Sequence, residues 1–205
     1  MKIVIATRNR HKAVELQTLL RLSGCDVACL DEVDPHGNIP EVEETGTSFE
    51  ENAFLKARTI AKITGLPSVA DDTGLEVDAL GGAPGIFSAR YAGESCTYED
   101  NVKKLLSELS GIATDRRTAR FITVAVYVDK ETELSAEGVV EGVITEKPEG
   151  FGGFGYDPVF SVLDMKKTYA ELSDEEKNRV SHRGKAIWSL IKKLRENGLI
   201  ADNPS

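Results

Sequence analysis

The chain has few cysteines, few histidines and no long apolar run. Its 205 residues include three cysteines and three histidines. An odd number of cysteines does not suggest a disulfide framework. The small number of cysteines and histidines also disfavours a structural zinc site. We therefore expect reduced, mostly buried thiols. No segment approaches the roughly 18 apolar residues of a membrane span, and the apolar start of the chain is too short for a signal peptide. These absences favour a cytoplasmic protein without a membrane partner.

The chain also lacks a positive charge balance. Acidic residues number 34 against 25 lysines and arginines, which gives a net charge of −9. A chain with this balance is a poor general binder of nucleic acid or anionic membrane, because like charges repel. An anionic ligand would therefore need a local basic cluster or a metal ion.

Helix and strand periodicities intermix along the chain. A short buried strand at 2–6 precedes a helix that begins near Arg10, and two long strands at 120–128 and 133–144 form an antiparallel hairpin. This arrangement predicts an α/β chain with a mixed sheet. No change of composition marks a linker, so we predict one domain over 1–205.

Two capping-box spacings predict helix starts. Thr47 with Glu50 precedes one apolar helical stripe, and Ser173 with Glu176 precedes the last part of the chain. Beyond the final helix, the tail at 198–205 is predicted to fray.

Residues 7–12 directly follow the first strand and open a helix. A helix N-terminus offers unpaired N–H groups and the positive end of a dipole, which suits a phosphate. Thr7 and Asn9 can cap the helix or donate to an anion, and Lys12 adds a positive charge. A plain helix cap followed by solvated basic residues explains the same segment and is the more common arrangement.

Acidic candidates lie in two predicted segments. Glu41, Glu43 and Glu44 fall in a predicted loop over 31–46. Asp71 and Asp72 fall at a strand end within 67–77, which reads as strand, loop, strand. Two adjacent aspartates would repel each other unless they took up protons or met a cation. Mg²⁺ is usually held by one or two carboxylates with waters and substrate phosphates. A turn before Gly74 beside a solvated acidic loop is an equally good interpretation.

The run from Gly150 to Gly155 has the spacing of dinucleotide-binding glycines, but no helix start follows it. We interpret it as a loop that presents Phe154, Tyr156 and Asp157. Such a ring can stack on a nucleobase while the carboxylate accepts from a base N–H. A glycine-rich turn with core aromatics is at least as common.

Near the last helix, Lys177 and residues 181–183 place several hydrogen-bond donors close together in the sequence. All of them could reach a carbonyl or phosphate oxygen. A solvated helix surface is the ordinary alternative.

The order of these segments is more specific than any one of them. The chain carries, in sequence order, Thr7-x-Asn9-x-x-Lys12, Glu43-Glu44-Thr45-Gly46, Glu51-Asn52-Ala53-x-x-Lys56-Ala57, Ala70-Asp71-Asp72-Thr73-Gly74-Leu75, Gly82-Ala83-Pro84-Gly85-Ile86, Ser88-Ala89-Arg90-Tyr91, Gly153-Phe154-Gly155-Tyr156-Asp157-Pro158 and Ser181-His182-Arg183-Gly184. Together these motifs resemble the inosine triphosphate pyrophosphatase family (Ham1-like, non-canonical purine nucleoside-triphosphate pyrophosphatases), from residue 2 to about 195.

The resemblance implies an α/β fold with a long central mixed β-sheet flanked by helices, two lobes, and an active site in the cleft between them. It also implies a Mg²⁺-dependent and usually homodimeric enzyme. Such enzymes cleave ITP, dITP and XTP between the α and β phosphates, which releases the monophosphate and pyrophosphate and clears these nucleotides from the pool.

The same resemblance assigns residue roles. The triphosphate would be held by Thr7, Arg8, Asn9, Arg10, His11, Lys12 and Lys56. Glu43 and Asp72 would serve the metal, with Asp72 also acting as general base, and Thr73 would touch the substrate. The base pocket would be formed by Phe154, Gly155, Tyr156, Asp157, Lys177, His182 and Arg183.

Two rival functions differ from this one in class. A non-catalytic purine-nucleotide-binding protein would keep the pocket, but it would not need the carboxylates at Glu43, Asp71 and Asp72. A glycosidase-type hydrolase with two carboxylates would explain the acids but not the lysines.

Overall fold

The computed structural model describes residues 2–201, in which the chain forms eight strands and six α-helices. The strands are β1 (Lys2–Ile5), β2 (Asp26–Cys29), β3 (Ser68–Val77), β4 (Pro84–Gly85), β5 (Thr118–Val128), β6 (Glu133–Ile144), β7 (Phe160–Val162) and β8 (Lys167–Thr168). The helices are α1 (Arg10–Leu22), α2 (Leu30–Val33), α3 (Phe49–Thr64), α4 (Tyr98–Glu108), α5 (Asp174–Val180) and α6 (His182–Glu196).

The strands form one mixed sheet in the order β2-β1-β3-β5-β6-β7-β8, and β4 pairs with β3 outside this path. Strand β1 runs parallel to both β2 and β3, whereas β7 pairs antiparallel with β6 and β8. Parallel neighbours need a crossover between them, which α1 and α3 supply. The α/β class and the mixed sheet predicted from the sequence are confirmed.

The residues group into two compact units. The first unit comprises Met1–Asp72, Thr123–Gly138 and Arg183–Ser205, and the second comprises Thr73–Ile122 and Val139–His182. Strands β3, β5 and β6 contribute residues to both units.

The core of the first unit joins the apolar stripes of α1 and α6 to the strands. Leu16, Leu19 and Leu20 of α1 belong to it, at the spacing that places side chains on one face of a helix. Leu199 and Ile200 also pack against this core. Fraying from residue 198 is therefore wrong for these two residues, because leaving the chain end free would expose their apolar side chains to water. The rest of that predicted tail, from 202 to 205, lies outside the described residues.

The core of the second unit is rich in aromatic side chains. Phe121 and Phe160 meet edge to face with ring centroids 4.7 Å apart, and Phe160 lies 5.2 Å from Tyr169. Leu105 in the last turn of α4 and Leu109 just after the helix are fully buried in the same cluster. Such tilted and edge-to-face contacts suit the charge distribution of the rings.

Strand β3 is continuous where the sequence predicted a strand, a loop and a strand over 67–77. Asp71 and Asp72 lie inside it and are only 2% and 6% exposed. The break was predicted around Asp71-Asp72-Thr73-Gly74, and two adjacent buried carboxylates would repel each other if they had no partners. The break is absent because each carboxylate meets a lysine of the first unit.

Two local details concern helix starts. The cap of α3 is Ser48 rather than Thr47, and the Ser48 Oγ accepts from the Glu51 N at 3.2 Å. Glu51 in turn accepts from the Thr47 N at 2.6 Å, so the predicted partner Glu50 is wrong by one residue. The second capping box is confirmed, because the Ser173 Oγ accepts from the Glu176 N at 3.2 Å.

The segment predicted as a loop over 31–46 contains α2 at its beginning. All three cysteines are free, but only Cys25 is buried, and Cys29 and Cys96 are half-buried. Within residues 2–201, no helix combines the length and the apolar character needed to cross a membrane.

Candidate active site

The turn between β1 and α1 is built as a helix cap. Asn9 is the cap residue, and its Oδ1 accepts from the backbone N of His11 at 3.1 Å and of Lys12 at 3.3 Å. The Thr7 Oγ1 accepts from the Asn9 N at 3.2 Å, which fixes the entry to the helix. Arg10 and His11 are exposed, and Lys12 is the residue of this turn whose side chain reaches Asp71.

Asp71 is the centre of a buried charge network in the first unit. Its Oδ2 lies 3.4 Å from the Lys12 Nζ and accepts from the Arg183 Nε at 3.1 Å. The Arg183 Nη1 donates to Glu15. Burial alone would lower the pKa of Arg183, but Asp71 and Glu15 outweigh it and raise that pKa. Burial dominates at Lys12 and lowers its pKa, although Asp71 opposes this effect.

Asp72 has a different set of partners. The Lys56 Nζ donates to the Asp72 Oδ1 at 3.0 Å and to the Glu44 Oε1 at 2.7 Å. Burial raises the pKa of Asp72 even though Lys56 and Lys12 pull it down. Lys56 keeps its proton, because Asp72 and Glu44 raise its pKa against the effect of burial. Successive residues of a strand face opposite sides, which accounts for the two partner sets of Asp71 and Asp72.

Asn52 connects the acidic segment to Asp72. Its Oδ1 accepts from the Gly46 N at 2.8 Å, and its Nδ2 lies 3.5 Å from the Asp72 Oδ2. A Cβ at Gly46 would come within 2.7 Å of the Asn52 Oδ1. A side chain at position 46 would therefore push this buried amide out of place.

The carboxylate beside Lys56 belongs to Glu44, while Glu43 is exposed. No group of three or more His, Cys, Asp and Glu side chains within residues 2–201 is arranged to hold a metal ion. Mg²⁺ needs only one or two carboxylates, because waters and substrate phosphates complete its shell. Asp72, with the half-buried Glu44 sharing its lysine, fits that requirement.

Arg8 is directed toward the segment that follows α2. Its Nη2 donates to the Asp34 Oδ2 at 2.8 Å and to the Ile39 carbonyl oxygen at 2.7 Å. Among the residues predicted for the triphosphate, it is therefore Lys12 and Lys56 that contact the aspartates of β3.

The second unit holds a buried ion pair beside an aromatic ring. The Lys177 Nζ donates to the Asp157 Oδ2 at 2.6 Å, and both side chains are 5% exposed. The same oxygen accepts from the Phe154 N at 2.8 Å. The Lys177 Nζ lies 4.8 Å from the centre of the Phe154 ring, which Tyr98 also contacts at 5.9 Å. This group combines charged donors and acceptors with a flat apolar face.

His182 and Tyr156 are part of the aromatic core of the second unit. The His182 ring stacks on Phe121 with centroids 4.4 Å apart and an interplanar angle of 12°. The Tyr156 hydroxyl donates to the Ser88 carbonyl oxygen at 3.0 Å, and burial raises the pKa of that hydroxyl. Thr73 is half-buried in β3, and Gly155 has a φ of 63° in the left-handed region.

The sequence analysis gave no role to Glu15 or Asn52. It assigned Glu43 to the metal, which stays a prediction, and it did not foresee the contact of Glu44 with Lys56. Glu15 lies three residues after Lys12 on α1, a spacing that places both side chains on one helix face. Its bond to Arg183 spans 168 residues, so this spacing was the one signal available. Asn52 lies within the buried stripe of α3, and a buried amide at such a position indicates that it has hydrogen-bond partners.

Comparisons with known proteins agree with one another. The model of the Ham1 family matches residues 3–193. The dITP/XTP pyrophosphatase of Shigella flexneri is 50% identical over 197 residues, which is 95% of this chain and 98% of that protein. The Ham1 protein of Staphylococcus aureus is 40% identical with a TM-score of 0.83, covering 96% of this chain and 100% of that one. A HAM1 protein from Coxiella burnetii is 42% identical with a TM-score of 0.84, covering 96% and 99%.

Proposed function

The chain belongs to the Ham1 family, and from that premise we propose that it is a nucleoside-triphosphate pyrophosphatase. Its substrates are non-canonical purine nucleotides, namely ITP, dITP and XTP, which it hydrolyses to the monophosphate and pyrophosphate. The relative from Shigella flexneri carries the name dITP/XTP pyrophosphatase at 50% identity. The observation that carries the proposal is Asp72, a buried carboxylate hydrogen-bonded to a lysine beside a second acidic residue.

Positive side chains of the first unit bind the triphosphate in this proposal. Lys12 and Lys56 supply the charge, and Thr7, Asn9, Arg10 and His11 line the turn that opens α1. Hydrolysis at a phosphoryl centre depends mainly on positioning and on neutralising charge. Lys12 and Lys56 place two ammonium groups beside the aspartates of β3, in a chain whose net charge is −9.

Asp72 acts as the general base. It would accept a proton from the attacking water, and the Asn52 amide and the Lys56 ammonium hold its two oxygens in position. A carboxylate fixed in this way can take or orient the proton of a water within hydrogen-bond reach. Thr73 follows it directly in β3 and would contact the substrate.

Mg²⁺ is the cofactor in this proposal. Asp72 would hold it together with an acidic residue of the 41–46 segment, Glu43 by family resemblance or Glu44 by its contact with Lys56. When bound, the ion supplies a Lewis acid that offsets phosphate charge and lowers the pKa of a bound water.

The second unit would recognise the base. Phe154 offers a face for stacking, with Gly155, Tyr156 and His182 shaping the pocket around it. Lys177 carries only donors, which suit the 6-keto oxygen of hypoxanthine or xanthine, and Asp157 can accept from a protonated N1. Adenine has an amino group and an unprotonated N1 at these places. Guanine shares the keto oxygen and N1–H, so this reasoning predicts rejection of ATP and not of GTP.

We also propose that the protein is a homodimer and that it lies in the cytoplasm. Light scattering on the purified protein tests the dimer, and fractionation of the source cells tests the location.

A nucleotide panel with and without EDTA tests the activity. We expect pyrophosphate and the monophosphate from ITP, dITP and XTP, a much slower reaction with ATP, and loss of turnover in EDTA. Nucleotide binding without any product would support the non-catalytic alternative. Turnover that survives EDTA would contradict the role of Mg²⁺.

A further inference from the structure

We propose that Arg8 is a positioning residue that holds the segment 34–39, and with it the acidic stretch 40–46, against the turn between β1 and α1. It does so in place of binding a phosphate. The proposal concerns the same site as the proposed function and rests on it for the kinetic measurements alone.

Both hydrogens of one Arg8 nitrogen are used within the chain. The Nη2 donates to the Asp34 Oδ2 at 2.8 Å and to the Ile39 carbonyl oxygen at 2.7 Å. The Nη1 lies 3.8 Å from the Asp31 Oδ1. A guanidinium engaged with three acceptors of the 31–39 region has fewer N–H groups left for an anion at the start of α1.

Asp34 organises the segment that Arg8 holds. Its Oδ1 accepts from the Asn38 N at 2.8 Å, and its Oδ2 accepts from the Ile39 N at 2.9 Å. The Ile39 bond, followed by the Arg8 side chain, lowers the pKa of Asp34. The carboxylate is therefore ionised at neutral pH, and the side chains of Asp34 and Ile39 are both buried. Residues 34–39 thus form a compact loop with Arg8 as its clamp.

The acidic stretch is anchored at its other end by α3. The Gly46 N donates to the Asn52 Oδ1 at 2.8 Å, and Lys56 holds Glu44 at 2.7 Å. Residues 40–46 therefore run between two fixed points, the Arg8 clamp and the bonds to α3. Removing the first point lengthens the free span and increases the number of positions that its carboxylates can occupy.

The phosphate charge that Arg8 would otherwise supply is available elsewhere. Lys12 and Lys56 contact the aspartates of β3, whereas Arg8 contacts only the 31–39 region among the described residues. Arg8 therefore acts on the acidic stretch, and through it on the metal requirement of the reaction.

Hydrogen exchange on the full chain tests the clamp without any substrate. In Arg8→Ala, the amides of Asn38 and Ile39 should exchange about tenfold faster, because loss of a charged hydrogen bond weakens the loop. Arg8→Lys should restore part of the protection, since an ammonium can still meet Asp34. Arg58→Ala is the matched control, because it removes an exposed bidentate pair with Glu133 elsewhere in the same unit.

Kinetics separate positioning from a purely structural role. In Arg8→Ala, the Mg²⁺ concentration for half-maximal activity on ITP should rise about tenfold, as it does when a residue behind a metal ligand is lost. The kcat at saturating Mg²⁺ should stay close to that of the parent. In an Asp34→Asn background, Arg8→Ala should add little to either measurement, because the partner is already weakened.

Three results would overturn the proposal. Unchanged exchange with a raised KM for ITP at saturating Mg²⁺ would make Arg8 a phosphate ligand. Faster exchange with an unchanged Mg²⁺ requirement would make the clamp purely structural. No change in either would leave Arg8 without a role. A parent protein that releases no pyrophosphate from ITP would refute the proposed function instead, and the exchange data would still decide whether the clamp exists.

Discussion

The two units arrange the charged side chains of the candidate site differently. In the first unit, two aspartates lie within a strand and share a network with three cations and two further acids, namely Lys12, Lys56, Arg183, Glu15 and Glu44. In the second unit, one aspartate pairs with one lysine beside an aromatic ring. A network of three cations and four carboxylates suits proton transfer and a divalent cation that brings a phosphate, whereas an ion pair beside a ring suits the recognition of donors and acceptors on a flat base.

The largest effect should come from Asp72. Asp72→Asn removes the proposed base while keeping its size, so kcat on ITP should fall by about 10²–10⁴-fold. Steady-state pyrophosphate release measures this, and circular dichroism checks the fold. Turnover within about threefold of the parent would remove Asp72 from the chemistry.

Asp71 should differ from its neighbour by affecting stability first. Asp71→Asn leaves Lys12 and Arg183 without their shared buried carboxylate, which should cost about 3–5 kcal/mol of unfolding free energy. Denaturant titration measures it. Asp78→Asn is the control, because its pair with Arg120 is partly exposed and should contribute about 1 kcal/mol at most. If Asp71→Asn left the unfolding free energy unaltered and strongly lowered kcat, Asp71 rather than Asp72 would have the catalytic role.

The pair in the second unit should affect selectivity. Asp157→Asn provides an amide that can donate to the unprotonated N1 of adenine, so the preference for ITP over ATP should narrow by about tenfold or more. Ratios of kcat/KM for the two nucleotides measure it, with the exposed Asp164→Asn as control. A preference that stays intact would place base recognition elsewhere.

The smallest effect should come from one helix cap in each unit, where the two units should respond to pH in the same way. Backbone N–H bonds from Thr47 and Ser173 lower the pKa of Glu51 in the first unit and of Glu176 in the second, below the ordinary 4.5. A carboxylate whose pKa is lowered by folding stabilises the protein above its unfolded pKa, and that stability is lost as the pH falls through the folded value. Glu51→Gln and Glu176→Gln should therefore be less stable than the parent at neutral pH, with the difference vanishing as the pH falls below the lowered folded pKa. A difference that persists in acid would show that the caps act without their charge.

Local patterns predicted more than long-range ones did. The mixed sheet and the Ser173 cap follow from periodicity and spacing within a few residues, and both are confirmed. The Thr47 cap is wrong by one position, because two hydroxyl residues precede adjacent glutamates and spacing alone cannot choose between them. The continuous β3 could not be predicted, because the cations that permit buried aspartates come from α1, α3 and α6. The substrate and metal roles of the site residues remain predictions.

The two glycines on either side of Phe154 in the second unit should differ in which substitutions they tolerate. Gly153 has a φ of 71°, and a Cβ there would overlap the Asp157 side chain. Two residues later, Gly155 has a φ of 63° but open space around it. In a saturation library selected for function, codon 155 should therefore retain some asparagine, which tolerates the left-handed region. Codon 153 should return glycine alone, because every other residue must both strain the backbone and displace the carboxylate that pairs with Lys177.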